Sequence, residues 1–148
     1  MRTIALSVVL CALAASAALR AASNADTPYT RVSKLASYLS DGEPVGALEA
    51  FDKKMPGYSA VAADIQAMAA QSEVLCSIDV VQDKEAADDS SSVHHLDLDW
   101  YMMLKSRADE GLVERRRQRV AVTLEKEGRG WRITAISPEQ ILAPLAVR

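Results

Sequence analysis

The side chains best suited to nucleophilic chemistry in this chain are the thiol of Cys76 and the imidazole of His94. A histidine beside a cysteine can remove the thiol proton and so activate the sulfur. Both residues lie in stretches of alternating hydrophobicity, which predicts two neighbouring antiparallel strands. If Val80 pairs with Leu96, Cys76 faces Trp100, which is six residues, or roughly 20 Å, from His94 along its strand. We therefore predict no Cys–His dyad and interpret Cys76 as a small buried apolar side chain.

A second set of polar side chains, His95, Asp97 and Asp99, shares one face of the second predicted strand. Imidazole and carboxylate groups at this spacing are potential ligands for a divalent metal. Neighbouring residues on one strand face are ~6.6 Å apart, however, so His95 and Asp99 would have to lean far toward each other. We therefore interpret the row as a solvated strand face, and we predict neither a metal nor another cofactor.

The most basic segment is Arg115–Arg119, which invites a phosphate-binding interpretation. Alternation sends its odd-numbered arginines to the charged face, where Asp97 and Asp99 of the adjacent strand can neutralise them. The whole chain carries 17 lysines and arginines against 20 acidic residues, a formal charge of −3. Such a surface repels phosphate backbones, so we predict that the protein binds no nucleic acid.

Arg116 and Gln118 differ because they alternate onto the apolar face of their strand. A half-buried arginine needs a partner, which could be a helix carboxylate such as Asp64 or Glu73, or a bound anion. An internal ion pair, or a side chain that reaches the rim, would also satisfy it. Three aromatic residues could line the same cavity. The predicted ligand-binding residues are Arg116, Gln118, Trp100, Tyr38 and Tyr58.

Helices are predicted before Ser72, because apolar residues there recur every three to four positions. The first helix should run from about residue 28 to 40 and end at Asp41-Gly42. The second should follow Pro44, and the third should span about residues 59–70. The predicted apolar positions are Val32, Leu35, Ala36 and Leu39, then Val45, Leu48 and Phe51, then Val61, Ile65 and Met68.

Strands are predicted after Ser72, because the hydrophobic period falls to two. The first two strands flank a polar loop at residues 83–92, and turns at 109–111 and 127–130 separate the others. The last of these turns would place Leu124 opposite Ile133 and Val122 opposite Ala135. Residues 137–140 have the cap, proline and glutamine order of a closing helical turn. The predicted core face of the second strand is Leu96, Leu98, Trp100, Met102 and Leu104.

These elements predict the α+β class. An antiparallel sheet with one apolar face needs a cover, and three helices that are each apolar on one side can provide it. We therefore predict three N-terminal helices packed on a curved four-stranded antiparallel meander sheet.

The N-terminus has the pattern of an export signal. Arg2 precedes an uncharged apolar run from Ile4 to Leu19, which is short and rich in alanine for a membrane span of ~20 strongly apolar residues. We predict a signal peptide over residues 1–25, a single domain over residues 26–148, export to the periplasm or the medium, and no stable membrane span after cleavage.

Three stretches of the chain carry a family resemblance: residues 96–100 (LDLDW), 114–120 (ERRRQRV) and 130–138 (GWRITAISP). Together with the order of helices and strands, they resemble small exported bacterial members of the nuclear transport factor 2-like superfamily, which includes ketosteroid-isomerase-like and SnoaL-like proteins. The resemblance implies a cone-shaped, cystatin-like roll with a cavity between helices and sheet, and it implies that a homodimer can form.

Three functions are compatible with this fold. The leading hypothesis is an exported, non-catalytic module that holds a small apolar or anionic ligand, or a protein partner, in the cavity. The alternative is an enzyme of the ketosteroid-isomerase or SnoaL-like type, whose cavity carboxylate removes a carbon-bound proton. Alternation turns Asp79, Asp97 and Asp99 outward. Only Glu114, near a strand end, or a helix carboxylate such as Asp64 is then left as a possible base, so we name no catalytic residue. The third is a structural role in which the outer sheet face forms a dimer.

Overall fold

Helices form the first half of the fold and strands the second, in a computed structural model that describes residues 25–146. The helices are α1 (Pro28–Asp41), α2 (Pro44–Leu48) and α3 (Tyr58–Gln71). They are followed by β1 (Ser72–Asp83), β2 (Val93–Ser106), β3 (Val113–Glu127), β4 (Gly130–Ser137) and a 3₁₀ helix (Glu139–Leu142). The strands form one antiparallel sheet in the order β1-β2-β3-β4. The predicted class, three helices followed by a meander sheet, is confirmed.

Helix α1 has a clear start and stop. The Thr27 side chain accepts a hydrogen bond from the Thr30 N–H at 3.1 Å, and the Thr30 hydroxyl accepts one from the Thr27 N–H at 2.7 Å, which forms a capping box. Gly42 ends the helix with a φ of +70°, a backbone conformation that glycine adopts without a steric penalty. The helix therefore spans the range that the sequence predicts, with Val32, Leu35 and Leu39 buried against the sheet.

Helix α2 begins at Pro44 as predicted, but its inner face differs from the prediction. Val45 is 75% exposed, whereas Ala47 is fully buried. The helix packs so closely on α1 that a Cβ atom at Gly46 would lie 2.5 Å from the ring of Tyr38. This close approach, which apolar periodicity does not reveal, sets the face that α2 turns inward.

The inner face of the sheet and α3 supply much of the core. Val61, Ile65 and Met68 of α3 are at most 1% exposed, as predicted from their spacing. The alternation predicted for β2 is also confirmed, because five inner side chains are each at most 1% exposed: Leu96, Leu98, Trp100, Met102 and Leu104.

The predicted pairing of β1 with β2 is wrong by two residues. Val80 pairs with Leu98 rather than Leu96, and a β-bulge follows at residue 81. Cys76 therefore lies opposite Met102, still farther from His94 than predicted. The bulge carries an extra residue on β1, which a strict alternation rule cannot detect.

The pairing of β3 with β4 is partly as predicted. Leu124 lies opposite Ile133, but Val122 faces Ile136 rather than Ala135, because a bulge shifts the register between Thr123 and Leu124. The turn itself is two residues long, and its first residue, Gly128, has a φ of +59°. A tight hairpin turn of this kind favours glycine at such a position.

The C-terminal segment closes one end of the core. The predicted helical turn is present as a short 3₁₀ helix, but no side chain caps it, so the capping role predicted for Ser137 is wrong. Ile141, Leu142 and Leu145 are at most 7% exposed, and the 3₁₀ helix packs against α3. Among residues 25–146, no helix has both the length and the apolar character to cross a bilayer. Residues 1–24 of the predicted signal peptide lie outside the described residues.

Candidate functional site

The five predicted ligand-binding residues lie on different surfaces of the fold. Trp100 and Gln118 are paired across β2 and β3, and Arg116 is next to them on the inner face of β3. Tyr38 lines a narrow recess between α1 and α3, and Tyr58 lines a surface cleft. The structure therefore brings the three strand residues together but does not gather all five around one cavity. The five residues do not surround one cavity because the fully buried indole of Trp100 fills the centre of the sheet's inner face.

Arg116 is satisfied by the C-terminal segment rather than by a helix carboxylate. Its guanidinium donates to the carbonyl oxygens of Ile141 at 3.2 Å, of Ala143, and of Pro144 at 3.2 Å. Its Nε atom also donates to Glu114 at 2.5 Å. The partners suggested by the sequence, Asp64 and Glu73, are replaced by main-chain oxygens, which no side-chain pattern could indicate.

Cys76 is held as an inert thiol. The indole N–H of Trp100 donates to its sulfur at 3.2 Å. Burial raises the pKa of the Cys76 thiol to about 12, even though this hydrogen bond acts in the opposite direction. The thiol is therefore protonated near neutral pH and is a poor nucleophile.

A cleft of about 750 Å³ opens between the segment that follows α2 and the turn that joins β3 to β4. One wall is apolar and consists of Val45, Leu48, Phe51 and the ring of Tyr58. Tyr58 comes from the start of α3, while Val45 and Leu48 come from α2. Exposure of an apolar side chain such as that of Val45 is unfavourable, and its place in this apolar wall accounts for the exposure.

The opposite wall of the cleft carries charges of both signs. Its cations are Lys53, Lys54 and Arg132, and its carboxylates are Glu49, Asp52 and Glu127. Within residues 25–146, no carboxylate oxygen lies within 4.0 Å of either lysine ammonium group. The contact of Arg132 with a carboxylate is long, with its Nε atom 3.9 Å from Glu127, and its guanidinium also donates to the Trp131 carbonyl at 3.3 Å. All three cations therefore retain the capacity to bind an anionic group.

The floor of the cleft is fixed by backbone pairing. Phe51 forms a parallel β-bridge with Ile133. The Asp52 N–H donates to the Ile133 carbonyl at 2.9 Å, and the Ile133 N–H donates to the Ala50 carbonyl at 2.7 Å. Residues 50–52 thus cover the free edge of β4 and hold the lysines beside it. Hydrophobic periodicity does not predict this pairing, and its one signal in the sequence is the polar run Asp52-Lys53-Lys54 directly after Phe51.

A smaller cleft of about 330 Å³ continues the first one along β4. The two clefts share Asp52, Lys54, Glu127 and Arg132 in their linings. Thr134 extends the lining of the second cleft. The shared residues make the two clefts one groove, with Arg132 near its middle.

A separate cluster of ionisable groups lies where β1 meets β2. The bulge at residue 81 turns Asp83 to the inner face, next to His94. The imidazole Nδ1 of His94 lies 2.9 and 3.0 Å from the two carboxylate oxygens of Asp83, and the Tyr29 hydroxyl donates to Asp83 at 2.5 Å. The sequence pattern predicts a loop at Asp83, so it does not indicate this cluster.

The cluster favours the ionised form of Asp83. Burial raises the pKa of this carboxyl, but hydrogen bonds from Tyr29 and His94 lower it by more, so it lies below its usual value. The same contact raises the pKa of the Tyr29 phenol. Glu85, two residues on, accepts from the His95 N–H at 2.7 Å and is 2.6 Å from its imidazole Nδ1. These bonds lower the pKa of Glu85.

Similarity to known proteins is evident in the fold and not in the sequence. No family model matches the chain, and no curated protein matches it. A conserved protein from Planctomyces limnophilus superimposes with a TM-score of 0.63 at 8% identity, over 73% of this chain and 88% of that one. A calcium/calmodulin-dependent protein kinase type II association domain from Thiobacillus denitrificans gives 0.55 at 13% identity, over 75% and 92%.

A third solved structure carries the superfamily name. It is a nuclear transport factor 2-like superfamily protein from Salmonella enterica serovar Typhimurium, with a TM-score of 0.54 and 12% identity over 80% of this chain and 89% of that one. The chain has the nuclear transport factor 2-like fold. The resemblance seen in the sequence is thereby confirmed at the level of the fold.

In this nuclear transport factor 2-like fold, side chains fill the space between the helices and the inner face of the sheet. Trp100, Met102 and Phe51 are each at most 2% exposed and seal the space between the helices and the inner sheet face. Both clefts described above instead open at the rim, beside β4. The outer face is charged as predicted, with Arg117 donating to Asp99 at 2.7 Å.

Proposed function

We propose that this protein is an exported, non-catalytic binding module that holds a small ligand in the cleft beside β4. The observation that carries this proposal is an apolar wall beside three cations in a cleft of about 750 Å³; among the described residues, two of these cations have no carboxylate within 4.0 Å and the third, Arg132, has only the 3.9 Å contact with Glu127. That volume lies within the ~300–1,000 Å³ range of small-molecule sites.

The cleft favours a ligand with an apolar body and one anionic group. The apolar body would pack on Val45, Leu48 and Tyr58, and the anion would meet Lys54 and Arg132. Carboxylates alternate with these cations along the wall, which weakens the long-range positive field. A polyanion such as nucleic acid is therefore not attracted, whereas a singly charged group can still bind at short range.

A binding role is favoured over catalysis by a cysteine, serine or histidine nucleophile. The lining of the cleft contains none of these three residue types. The thiol of Cys76 and the imidazole of His94 lie elsewhere, and the interior of the cone is closed by Trp100. Export is supported by the apolar run from Ile4 to Leu19 after Arg2, and it is tested by sequencing the N-terminus of the mature protein.

Native mass spectrometry of the protein purified from its own compartment is the direct test. We expect a retained small molecule, or saturable binding of a probe that combines an apolar body with one anionic group, such as decanoate. Arg132→Gln should weaken decanoate binding about tenfold, which corresponds to about 1.4 kcal/mol.

Arg119→Gln is the matched control, because it removes the same charge from the exposed outer face of β3. It should leave decanoate binding unchanged. If both variants bind decanoate as the unaltered protein does, the cleft is not the site. If neither a retained molecule nor decanoate binding is found, the small-ligand proposal is refuted, and a protein partner becomes the expected occupant of the cleft.

The alternative function, a proton-abstracting enzyme, now has one observation in its favour. Asp83 is an inward carboxylate that faces two donors, Tyr29 and His94, and these are the residue types that such chemistry requires. Neither cleft beside β4 is lined by Asp83, however. The test is hydrogen exchange at the α-carbon of an added ketone. Exchange that the unaltered protein catalyses and that Asp83→Asn does not would support the enzyme.

A further inference from the structure

We propose that Asp83, Glu85 and His94 form a binding site for one divalent transition-metal ion, and that Zn²⁺ fits this donor set best. One ligand atom from each residue lies within 4.8 Å of the other two. Both carboxylates come from the end of β1 and the loop that follows it, and the imidazole comes from the start of β2. The site is therefore built where the β1 bulge redirects the chain.

The donor set determines the class of metal. The imidazole nitrogen is a borderline donor and the two carboxylates are hard donors, a mixed set that Zn²⁺ accepts, whereas Ca²⁺ and Mg²⁺ prefer oxygen alone. Three protein ligands leave a fourth tetrahedral position for water, as in many zinc sites that are not purely structural. The buried thiol of Cys76 belongs to another part of the sheet and is not needed.

The ligands are largely withdrawn from solvent. The side chains of Asp83 and His94 are only 3% and 10% exposed, and that of Glu85 is 24% exposed. A metal could therefore enter past Glu85 on the loop side and then be held by two buried groups. A divalent ion would be attracted by both neighbouring carboxylates, and the burial of the Asp83 side chain would strengthen that attraction.

Groups that are not themselves ligands hold each donor in place. The Tyr29 hydroxyl donates to Asp83, and the His95 N–H donates to Glu85 at 2.7 Å. The ring of His94 stands edge-on to Trp131, with the ring centroids 5.1 Å apart. Outer contacts of this kind orient the ligands in protein metal sites and raise their affinity.

Little movement is needed to admit the ion. The Nδ1 atom of His94 is 2.9 Å from an Asp83 oxygen, and ligand atoms around a tetrahedral zinc are about 3.3 Å apart. The pair must open by a few tenths of an ångström while Glu85 closes from its position within 4.8 Å. Both oxygens of Glu85 contact His95, at 2.7 Å from its N–H and 2.6 Å from its imidazole Nδ1, so Glu85 would exchange at least one of these contacts for the metal.

The first test is titration of the purified, untagged full chain with Zn²⁺ by calorimetry, followed by Co²⁺ as a spectroscopic probe. We expect one Zn²⁺ per chain and a rise in Tm on addition of the metal. Co²⁺ should give visible bands of low coordination number without a thiolate-to-metal band. A thiolate band would place the ion on Cys11 or Cys76 and overturn the proposal.

Variants separate the site from non-specific binding to the acidic loop. Glu85→Gln should weaken Zn²⁺ binding at least tenfold, and His94→Gln should abolish it. Asp89→Asn is the matched control, because it removes one charge from an exposed position of the same loop, and it should bind as the unaltered chain does. If His94→Gln fails to fold, Glu85→Gln decides the question.

Two results would refute the site. One is the absence of a single saturable Zn²⁺ site in the unaltered chain. The other is equal Zn²⁺ affinity of Glu85→Gln and Asp89→Asn, since the loop charge alone would then account for binding. Neither result would bear on the decanoate cleft, which shares no residue with this cluster.

Discussion

Replacement of Arg116 by methionine tests whether one side chain fastens the C-terminal segment to the sheet. In the structure its guanidinium reaches the carbonyl oxygens of Ile141, Ala143 and Pro144 and the carboxylate of Glu114. Methionine keeps the apolar stem but removes every donor. We expect the segment from residue 139 onward to open more easily, while the strands remain paired.

The magnitude follows from the environment of the guanidinium. The Arg116 side chain is 14% exposed, whereas that of Glu114 is 40% exposed, so the ion pair adds little beyond the carbonyl contacts. Hydrogen bonds to a charged group contribute about 1.5–3 kcal/mol, and three made by one side chain are not additive. We therefore expect Arg116→Met to lower the free energy of unfolding by about 2–4 kcal/mol.

Urea denaturation and hydrogen exchange together measure this effect. Faster exchange should be concentrated in residues 139–146, with β2 and β3 protected as before. Arg119→Met, on the exposed outer face of the same strand, should change stability by less than about 0.5 kcal/mol. A loss below that value in Arg116→Met, or exchange that rises equally across the sheet, would refute the anchoring role.

Three further predictions test other contacts. The pKa of Asp83 is lowered in the folded state, so the ionised carboxylate stabilises the fold above the usual carboxyl pKa, and this stabilisation is lost as the pH falls below that value. Asp83→Asn should therefore flatten the decline of Tm in acid. Since the pKa of Cys76 is about 12, iodoacetamide should label this thiol slowly at pH 8 and rapidly in urea, as peptide mapping would show. Gly46→Ala should destabilise the fold by about 1–3 kcal/mol in urea denaturation, because the added Cβ would lie 2.5 Å from the Tyr38 ring.

The sequence predicts best the helices and strands that bury one apolar face. The apolar positions of α3 and β2 are correct because one face of each is buried, and burial imposes the 3.6 or 2.0 period on the sequence. The start of α1 is equally visible in the sequence, because Pro28 occupies the first helical position. The superfamily fold follows from the order of these elements, and it is found without sequence similarity.

The candidate sites were less predictable because they depend on contacts that leave no periodic trace. Arg116 was correctly placed on the inner face, but its carbonyl partners belong to a backbone whose path the sequence does not reveal. The cleft depends on a single parallel bridge between Phe51 and Ile133, residues that lie far apart in the sequence. A bridge of this kind is a tertiary event with no local signal.

The bulge in β1 shows how one residue can change the chemistry of a sheet. Strict alternation from Val80 would send Asp83 outward with Asp79, where solvent would satisfy it. The extra residue sends Asp83 inward, so the carboxylate meets the imidazole of His94 and the hydroxyl of Tyr29. Bulges are over-represented beside functional sites for this reason, since they redirect a side chain without altering the rest of the strand. The cluster of Asp83, His94 and Tyr29 therefore lies where the period-two rule fails.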